Sequence, residues 1–336
     1  MDTRLFGPDA ISRLITVSDV LDAVESAFAA DARGRTAMPA KSYVELPRYD
    51  GDFRSMPAYL DVRAEDGASE AAWDAAAVKW VNVHPNNPAD HDLPTVMGTI
   101  VYTDPETGFP RAVLDGTTVT RLRTGGAAAV ATDHLARQDA TSLGLVGAGR
   151  QAHAQLAAIA TVRDIDTVVV SDIDEEAVAA FRERYDDRFD VREGTVEAAA
   201  ACDVVSTVTP VETPIVTSVG EQTHVNAIGA DAAGKHEISD EILTDARIVI
   251  DDYEQCVHSG EINVSYSEGV LTDADVSTEL GAVVAEHVPG RRSGDGVTVF
   301  DSTGLAIQDV AVAHAVVEAA AESTGGDRYA LIDTSP

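Results

Sequence analysis

From Ser142 to Ile159 the chain reads SLGLVGAGRQAHAQLAAI, a short apolar run that ends on a glycine turn and passes directly into an alanine-rich helical stretch. Few sequences restrict a fold as much. Gly147 can take the tight turn at the end of a strand, Gly149 leaves backbone amides open to close approach, and Ala152 lets the helix pack tightly on the strand it has just left. The amino end of that helix, at Arg150 and Gln151, then favours a phosphate charge. Strand, glycine turn and helix in this order form a dinucleotide fingerprint. The next apolar run, TVVVS, is followed by Asp172, 25 positions after Gly147, where an acid meets ribose hydroxyls and repels a 2′-phosphate. NAD is therefore expected over NADP. A purely structural glycine turn, or an S-adenosylmethionine site on a similar fold, is the alternative.

The fingerprint sits in a repeating pattern. After it come apolar runs TVVVSD, CDVVSTVT, THVNAIG, ARIVID and VTVFDSTG, rich in Val and Ile and separated by helical stretches, as in a parallel sheet covered on both faces. The amino-terminal part differs. Ser18 can cap a helix whose stripe is Val20, Leu21, Val24, Ala27 and Phe28, ended by Gly34. From Lys41 to Thr103 the pattern is strand-like, and Asp61 to Asp74 reads as an exposed acidic hairpin tip. Two helical stretches flank the fingerprint region: TRLRTGGAAAVATDHLAR before it, and IQDVAVAHAVVEAAAES after it, apolar on one face.

Composition narrows the function. There are 57 acidic residues against 24 basic ones in 336, a formal charge of -33. Such a surface repels nucleic acid and anionic lipid, so neither is expected as a partner. No stretch is apolar enough to span a membrane and the amino end has no secretion pattern, so a cytoplasmic location is expected. Only Lys41, Lys79 and Lys235 are lysine. A carboxylate-rich, lysine-poor surface suits concentrated salt, where repulsion is screened over about 3 Å at 1 M. Where lysine has been almost eliminated, Lys79 in particular is expected to need a titratable ammonium that arginine cannot supply. A further constellation, NAIGADAAGKHE, follows an expected strand. It places Asp231 and Lys235 beyond a strand's carboxyl end, where ligands of a doubly wound sheet bind.

Together with MPAK, RSMPAY, KWVNVHPNNP, LPTVMGTIVYTDPETGFPRAVLDGT, TRLRTGGAAAVA, DDYEQCVHSGEIN and FDSTGLAIQDVA, these residues make a chain that resembles the ornithine cyclodeaminase and mu-crystallin family, closest to its archaeal alanine dehydrogenase branch. The resemblance covers nearly the full length. It implies an α/β fold: a Rossmann doubly wound domain, residues 125–303, inserted in a second α+β substrate-binding and dimerisation domain, residues 1–124 plus 304–336. It also implies a homodimer. Lys79 matches the active-site lysine, Asp231 the acid that handles water and ammonia, and Arg123 an arginine that contacts the substrate carboxylate. Thr124, Thr209, Lys235 and Ser302 join Gly147, Gly149, Gln151, Ala152 and Asp172 as cofactor contacts. The cyclodeaminases carry an acid two places before the Met-Pro pair, whereas this chain carries Arg54. A guanidinium can grip a carboxylate but cannot accept an ammonium, so Lys41 and Arg54 are expected to hold the carboxylate of a small monoamino acid and, as like charges, to lower the pKa of Lys79. The expectation is an NAD-dependent alanine dehydrogenase. A cyclodeaminase, a ketimine reductase or a crystallin-like binding protein is the alternative.

Overall fold

The computed structural model describes residues 2–63, 73–321 and 325–333. In chain order the elements are β1 (Thr3–Phe6), α1 (Pro8–Leu14), α2 (Val17–Ala32), β2 (Thr36–Ala37), β3 (Ser42–Leu46), β4 (Gly51–Asp61), β5 (Asp74–Val83), α3 (Asn87–His91), β6 (Val96–Thr103), β7 (Pro110–Asp115) and α4 (Gly116–Leu135). There follow β8 (Ser142–Val146), α5 (Arg150–Ile159), β9 (Thr167–Ser171), α6 (Glu175–Tyr185), β10 (Asp190–Glu193), α7 (Val196–Ala200), β11 (Val204–Thr207), β12 (His224–Ala227), α8 (Asp240–Asp245) and β13 (Arg247–Ile250). The last are α9 (Tyr253–Ser259), α10 (Asn263–Ser267), β14 (Val276–Glu279), α11 (Leu280–Val284), β15 (Thr298–Asp301), α12 (Ala306–Ala321) and β16 (Asp327–Tyr329). The chain divides into two compact units, Met1–Arg123 with Ala306–Pro336, and Thr124–Leu305.

The first unit is built on a mixed sheet ordered β16-β1-β7-β6-β5-β4-β2, with β3 also pairing with β4. The period of two decides what each strand buries. Along β5, Ala75, Ala77, Lys79 and Val81 point inward while Trp80 between them is exposed. Met56, Ala58 and Leu60 of β4 share that inner face, as do Ile100 and Tyr102 of β6. Helix α12 packs on β4, β5 and β6 and against α2. It is not apolar on one face only, because every residue from Ala306 to Ala313 is buried. Sheet on one side and helix on the other leave its first two turns no solvent face. The cap of α2 is Thr16, not Ser18: the Thr16 hydroxyl accepts from the Asp19 amide and the Asp19 carboxylate accepts from the Thr16 amide, a reciprocal capping box. Gly34, at φ +68°, follows its end. Residues 64–72, most of the expected acidic hairpin tip, lie outside the described residues; β4 and β5 lead up to them, paired from Asp52↔Val83 to Asp61↔Asp74.

The second unit is a parallel sheet ordered β10-β9-β8-β11-β12-β15-β13-β14. Its strands bury Leu143, Leu145, Val168, Val170, Val205, Val225, Ile248, Ile250 and Val299, the near-continuous apolar runs that a sheet covered on both faces needs. From β8 the chain moves one way to β9 and β10, then returns to the other side of β8 as β11. The order therefore reverses between β8 and β11, and the carboxyl ends of those strands open a crevice for a ligand.

Candidate active site

In the second unit the turn after β8 lies at this reversal. Gly147 has φ +108°, and a Cβ there would come within 3.0 Å of the Val208 side chain, which follows β11. Any other residue would be strained and would push the two loops apart. Gly149 caps α5 with no side-chain hydrogen bond, and a Cβ on it would meet nothing within 4 Å. The Ala152 amide donates to the Gly149 carbonyl at 3.0 Å, and glycine brings no side-chain acceptor to the amides of Arg150 and Gln151 at the start of α5. Ala152 is fully buried, as close packing on β8 demands, and the Oε1 of Gln151 is buried without a hydrogen-bond partner. Asp172 follows β9; its Oδ2 accepts from the Ala148 amide at 2.6 Å and its Oδ1 from the Asp174 amide at 3.0 Å. The acid expected at the ribose holds the glycine turn through the Ala148 amide. A phosphate cradle with an acid beside it fits a dinucleotide. Thr124 is buried in this unit, and its carbonyl accepts from Gln155.

The loops beyond β11, β12, β13 and β15 are tied together by four buried carboxylates that sequence reasoning did not single out. Glu237 accepts from the Thr209 amide (2.8 Å), the Thr209 hydroxyl (2.6 Å) and the Gly229 amide (3.0 Å). Glu261 accepts from the amides of Glu237 and Ile238, and Asp301 from those of Glu261 and Ile262. Asp251 accepts from the Ser302 hydroxyl and the Gly304 amide. Burial raises Glu237, carries Glu261 well above the usual carboxylate range and pushes Asp301 up to about 7. The hydroxyls of Thr209 and Ser302 thus donate inward to these acids. On the loop so anchored, Asp231 forms an ion pair with Lys235 at 2.5 Å, both partly exposed, while Asn263 clamps the Gly234 amide and the Lys235 carbonyl.

In the first unit Lys79 is 2% exposed. Its Nζ lies 2.7 Å from Oδ2 of Asp309 and donates to the Thr120 hydroxyl at 3.2 Å. Arg123 is also buried, with Nε 3.4 Å from Oδ1 of Asp309 and Nη1 donating to Oε1 of Gln308 at 3.1 Å. Burial lowers Lys79 to about 8; Asp309 opposes that fall, while Arg123 and Lys41 add to it. Arg54 shares the sheet face of Lys79, since Arg54 pairs with Val81 and Met56 with Lys79. The expected cause of the lowered pKa needs correction, however. Arg54 is not among the largest causes; its Nε and Nη2 donate to Asp52 at 2.9 and 3.1 Å, and its guanidinium lies over the Tyr43 ring. Desolvation does most of the work, and Arg123 is the principal like charge. Asp309 was missed altogether. A lone acid among AIQ-VAVAHAVV was its signal, since a carboxylate on so apolar a helix needs a cation.

A glycine turn at the reversal of a parallel sheet, with an acid after the second strand, defines a nucleotide-binding doubly wound unit, here set within the sequence of a unit that buries a lysine of lowered pKa. Residues 4–324 match the ornithine cyclodeaminase/mu-crystallin family, and the chain belongs to it. It is 44% identical to an alanine dehydrogenase of Archaeoglobus fulgidus, over 98% of each chain. A Δ1-pyrroline-2-carboxylate reductase of Bacillus cereus is 30% identical over 94% of this chain and 96% of its own. Among solved structures, an archaeal alanine dehydrogenase dimer with bound NAD superposes with a TM-score of 0.92 at 43% identity, covering 99% of this chain and 100% of that one.

The Asp172 assignment can be checked directly. Asp172→Ser removes the charge, yet its hydroxyl can still accept from the Ala148 amide. The preference for NAD over NADP should fall about ten- to a hundredfold, the value of a charge-assisted hydrogen bond of ~1.5 to 3 kcal/mol. An unchanged ratio of kcat/KM for the two cofactors would place the ribose elsewhere.

Proposed function

We propose that this chain is an NAD-dependent amino-acid dehydrogenase that converts L-alanine, water and NAD+ reversibly to pyruvate, ammonium, NADH and a proton. The observation that carries the reading is Lys79, a buried lysine that titrates near 8 beside a second buried cation, Arg123. An amine gives up hydride only as the free base, so a proton acceptor working near neutral pH is what the reaction needs. Lys41, Arg54 and Arg123 supply the positive charge that holds the substrate carboxylate and fixes its orientation. Lys79 takes the proton from the substrate ammonium. NAD, when bound, accepts the hydride from the substrate Cα; Gly147, Gly149, Gln151, Ala152 and the start of α5 would hold its phosphates, Asp172 its ribose, with Thr124, Thr209, Lys235 and Ser302 completing its site. Asp231 draws a proton from the water that adds to the resulting imine, and returns one to the departing ammonia.

A second copy of the chain is the partner this reading includes. On the sheet face opposite α12, Phe53 stacks on Trp80 at 5.2 Å and Trp80 is 46% exposed, with Tyr59, Val78 and Val101 only half-buried around it. An apolar face of that kind is what a dimer covers. No helix among the described residues is long and apolar enough to cross a membrane, and the lysine-poor, acidic composition supports a salt-rich cytoplasm as the place of work.

The related reductases keep a second reading in view, in which the substrate is ornithine or a cyclic imine. NADH formation measured in high KCl with L-alanine, L-ornithine and L-proline, and NADH consumption with cyclic imines, separates the two. Alanine should yield NADH and pyruvate. Conversion of ornithine to proline with alanine ignored would overturn the assignment and, with it, the role given to Arg54.

A further inference from the structure

Four charged groups act on one another around Lys79, each from a different element: Lys79 from β5, Arg123 from α4, Asp309 from α12 and Lys41 from the segment before β3. Arg54, on the same sheet face, is engaged by Asp52. Asp309 is the single acid among the four. Its two oxygens are divided, Oδ2 to Lys79 at 2.7 Å and Oδ1 toward Arg123 at 3.4 Å, and it is as deeply buried as they are. Gln308, the preceding residue, takes the other end of the Arg123 guanidinium, so the first turn of α12 holds both cations at once.

We infer that Asp309 is a positioning residue, whose carboxylate fixes Lys79 Nζ and sets the pH at which Lys79 exchanges its proton. The inference rests on Lys79 acting as the base proposed above. A lysine this deeply buried with no acid at hand would be neutral throughout the working range and too weak a base to take a proton. Locked against an undivided carboxylate, it would stay an ammonium and could take none. Sharing one carboxylate between Lys79 and Arg123 avoids both extremes, and a base is most effective when it titrates near the operating pH. Thr120 supplies a neutral contact to the same nitrogen, which stays available in either protonation state.

The near absence of lysine makes the test clean. Protein grown on 13C-labelled lysine carries three labelled side chains, assignable through Lys41→Arg and Lys235→Arg, and the Lys79 resonance can be titrated on the full chain without substrate. In Asp309→Asn the Lys79 midpoint should fall by about one to three pH units, the effect of removing an opposite charge at this distance. The Lys235 midpoint, on a residue of the other unit paired with Asp231, should stay put. The acid limb of kcat/KM should move down with Lys79, whereas a residue that merely filled space would lower activity without moving the limb. Asp309→Glu, which keeps the charge, should return the midpoint to within half a unit of the wild type. Should the Asn variant fail to fold, Asp309→Ser leaves room for water and makes the same measurement. A Lys79 midpoint unchanged in the folded variant overturns the inference. Failure of the wild type to oxidise alanine overturns the functional reading instead, and the resonance titration still decides the role of Asp309.

Discussion

Lys79→Arg should abolish alanine oxidation, by at least the 100- to 10,000-fold that a general base contributes, while NADH still binds. Arginine keeps its proton at any pH the protein tolerates, so it can face Asp309 as a cation but cannot take a proton from the substrate. The cofactor turn at Gly147 to Ala152 belongs to the other unit, which leaves binding intact. Stopped assays for NADH formation and fluorescence titration with NADH measure the two quantities separately. The same base fixes the pH dependence of the wild type. Lys79 must be neutral to accept a proton and its pKa is lowered to about 8, so kcat/KM for alanine should rise with pH and level off above that value, falling about tenfold per unit below it. Near-normal turnover in Lys79→Arg would reduce Lys79 to a charge anchor.

The second large effect is expected at Asp231. Asp231→Asn should lower kcat about 100- to 10,000-fold through loss of the group that moves protons to and from water and ammonia. The Asp231–Lys235 pair is 43% and 24% exposed, and exposed pairs contribute little to stability, at most ~1 kcal/mol. The loop itself is held by Glu237 on the Gly229 amide and by Asn263 on the Gly234 amide, neither of which the substitution touches. The melting temperature should therefore barely change, which separates lost chemistry from lost structure. A variant with normal kcat would remove Asp231 from the proton steps and turn attention to the buried carboxylates behind it.

Much of this site was written in local pattern. The alternation of AAAVKWVNV puts Lys79 on one face with Ala75, Ala77 and Val81, because a strand sends every second side chain to the same face. The other face carries Ala76, Val78 and Trp80, and it is the packing of α12 on the sheet that makes the lysine's face the buried one. The run SLGLVGAGRQA specifies a strand, a positive-φ turn and a helix start from adjacent residues alone. Where reading failed, the reason is physical. Strands β10 and β14 pair on one side only, at the two edges of the second sheet, so DVRE and VSTE need no apolar run and display none. Ser18 and Thr16 are both good cap residues; what decides is Asp19, three positions after Thr16, which closes the box only with that residue.

The sequence by itself determined the scarcity of lysine and, because each depends on residues within a turn or a strand of one another, the α/β character and the nucleotide-binding turn. Only the tertiary structure decided that β15 lies between β12 and β13, and which of 57 acids meets Lys79. Asp309 stands 230 positions from it, and no periodicity reaches that far. The two come within 2.7 Å because the chain leaves the first unit at Arg123 and re-enters it at Ala306, laying α12 across β5. In that buried setting an unpaired charge would be too costly to keep.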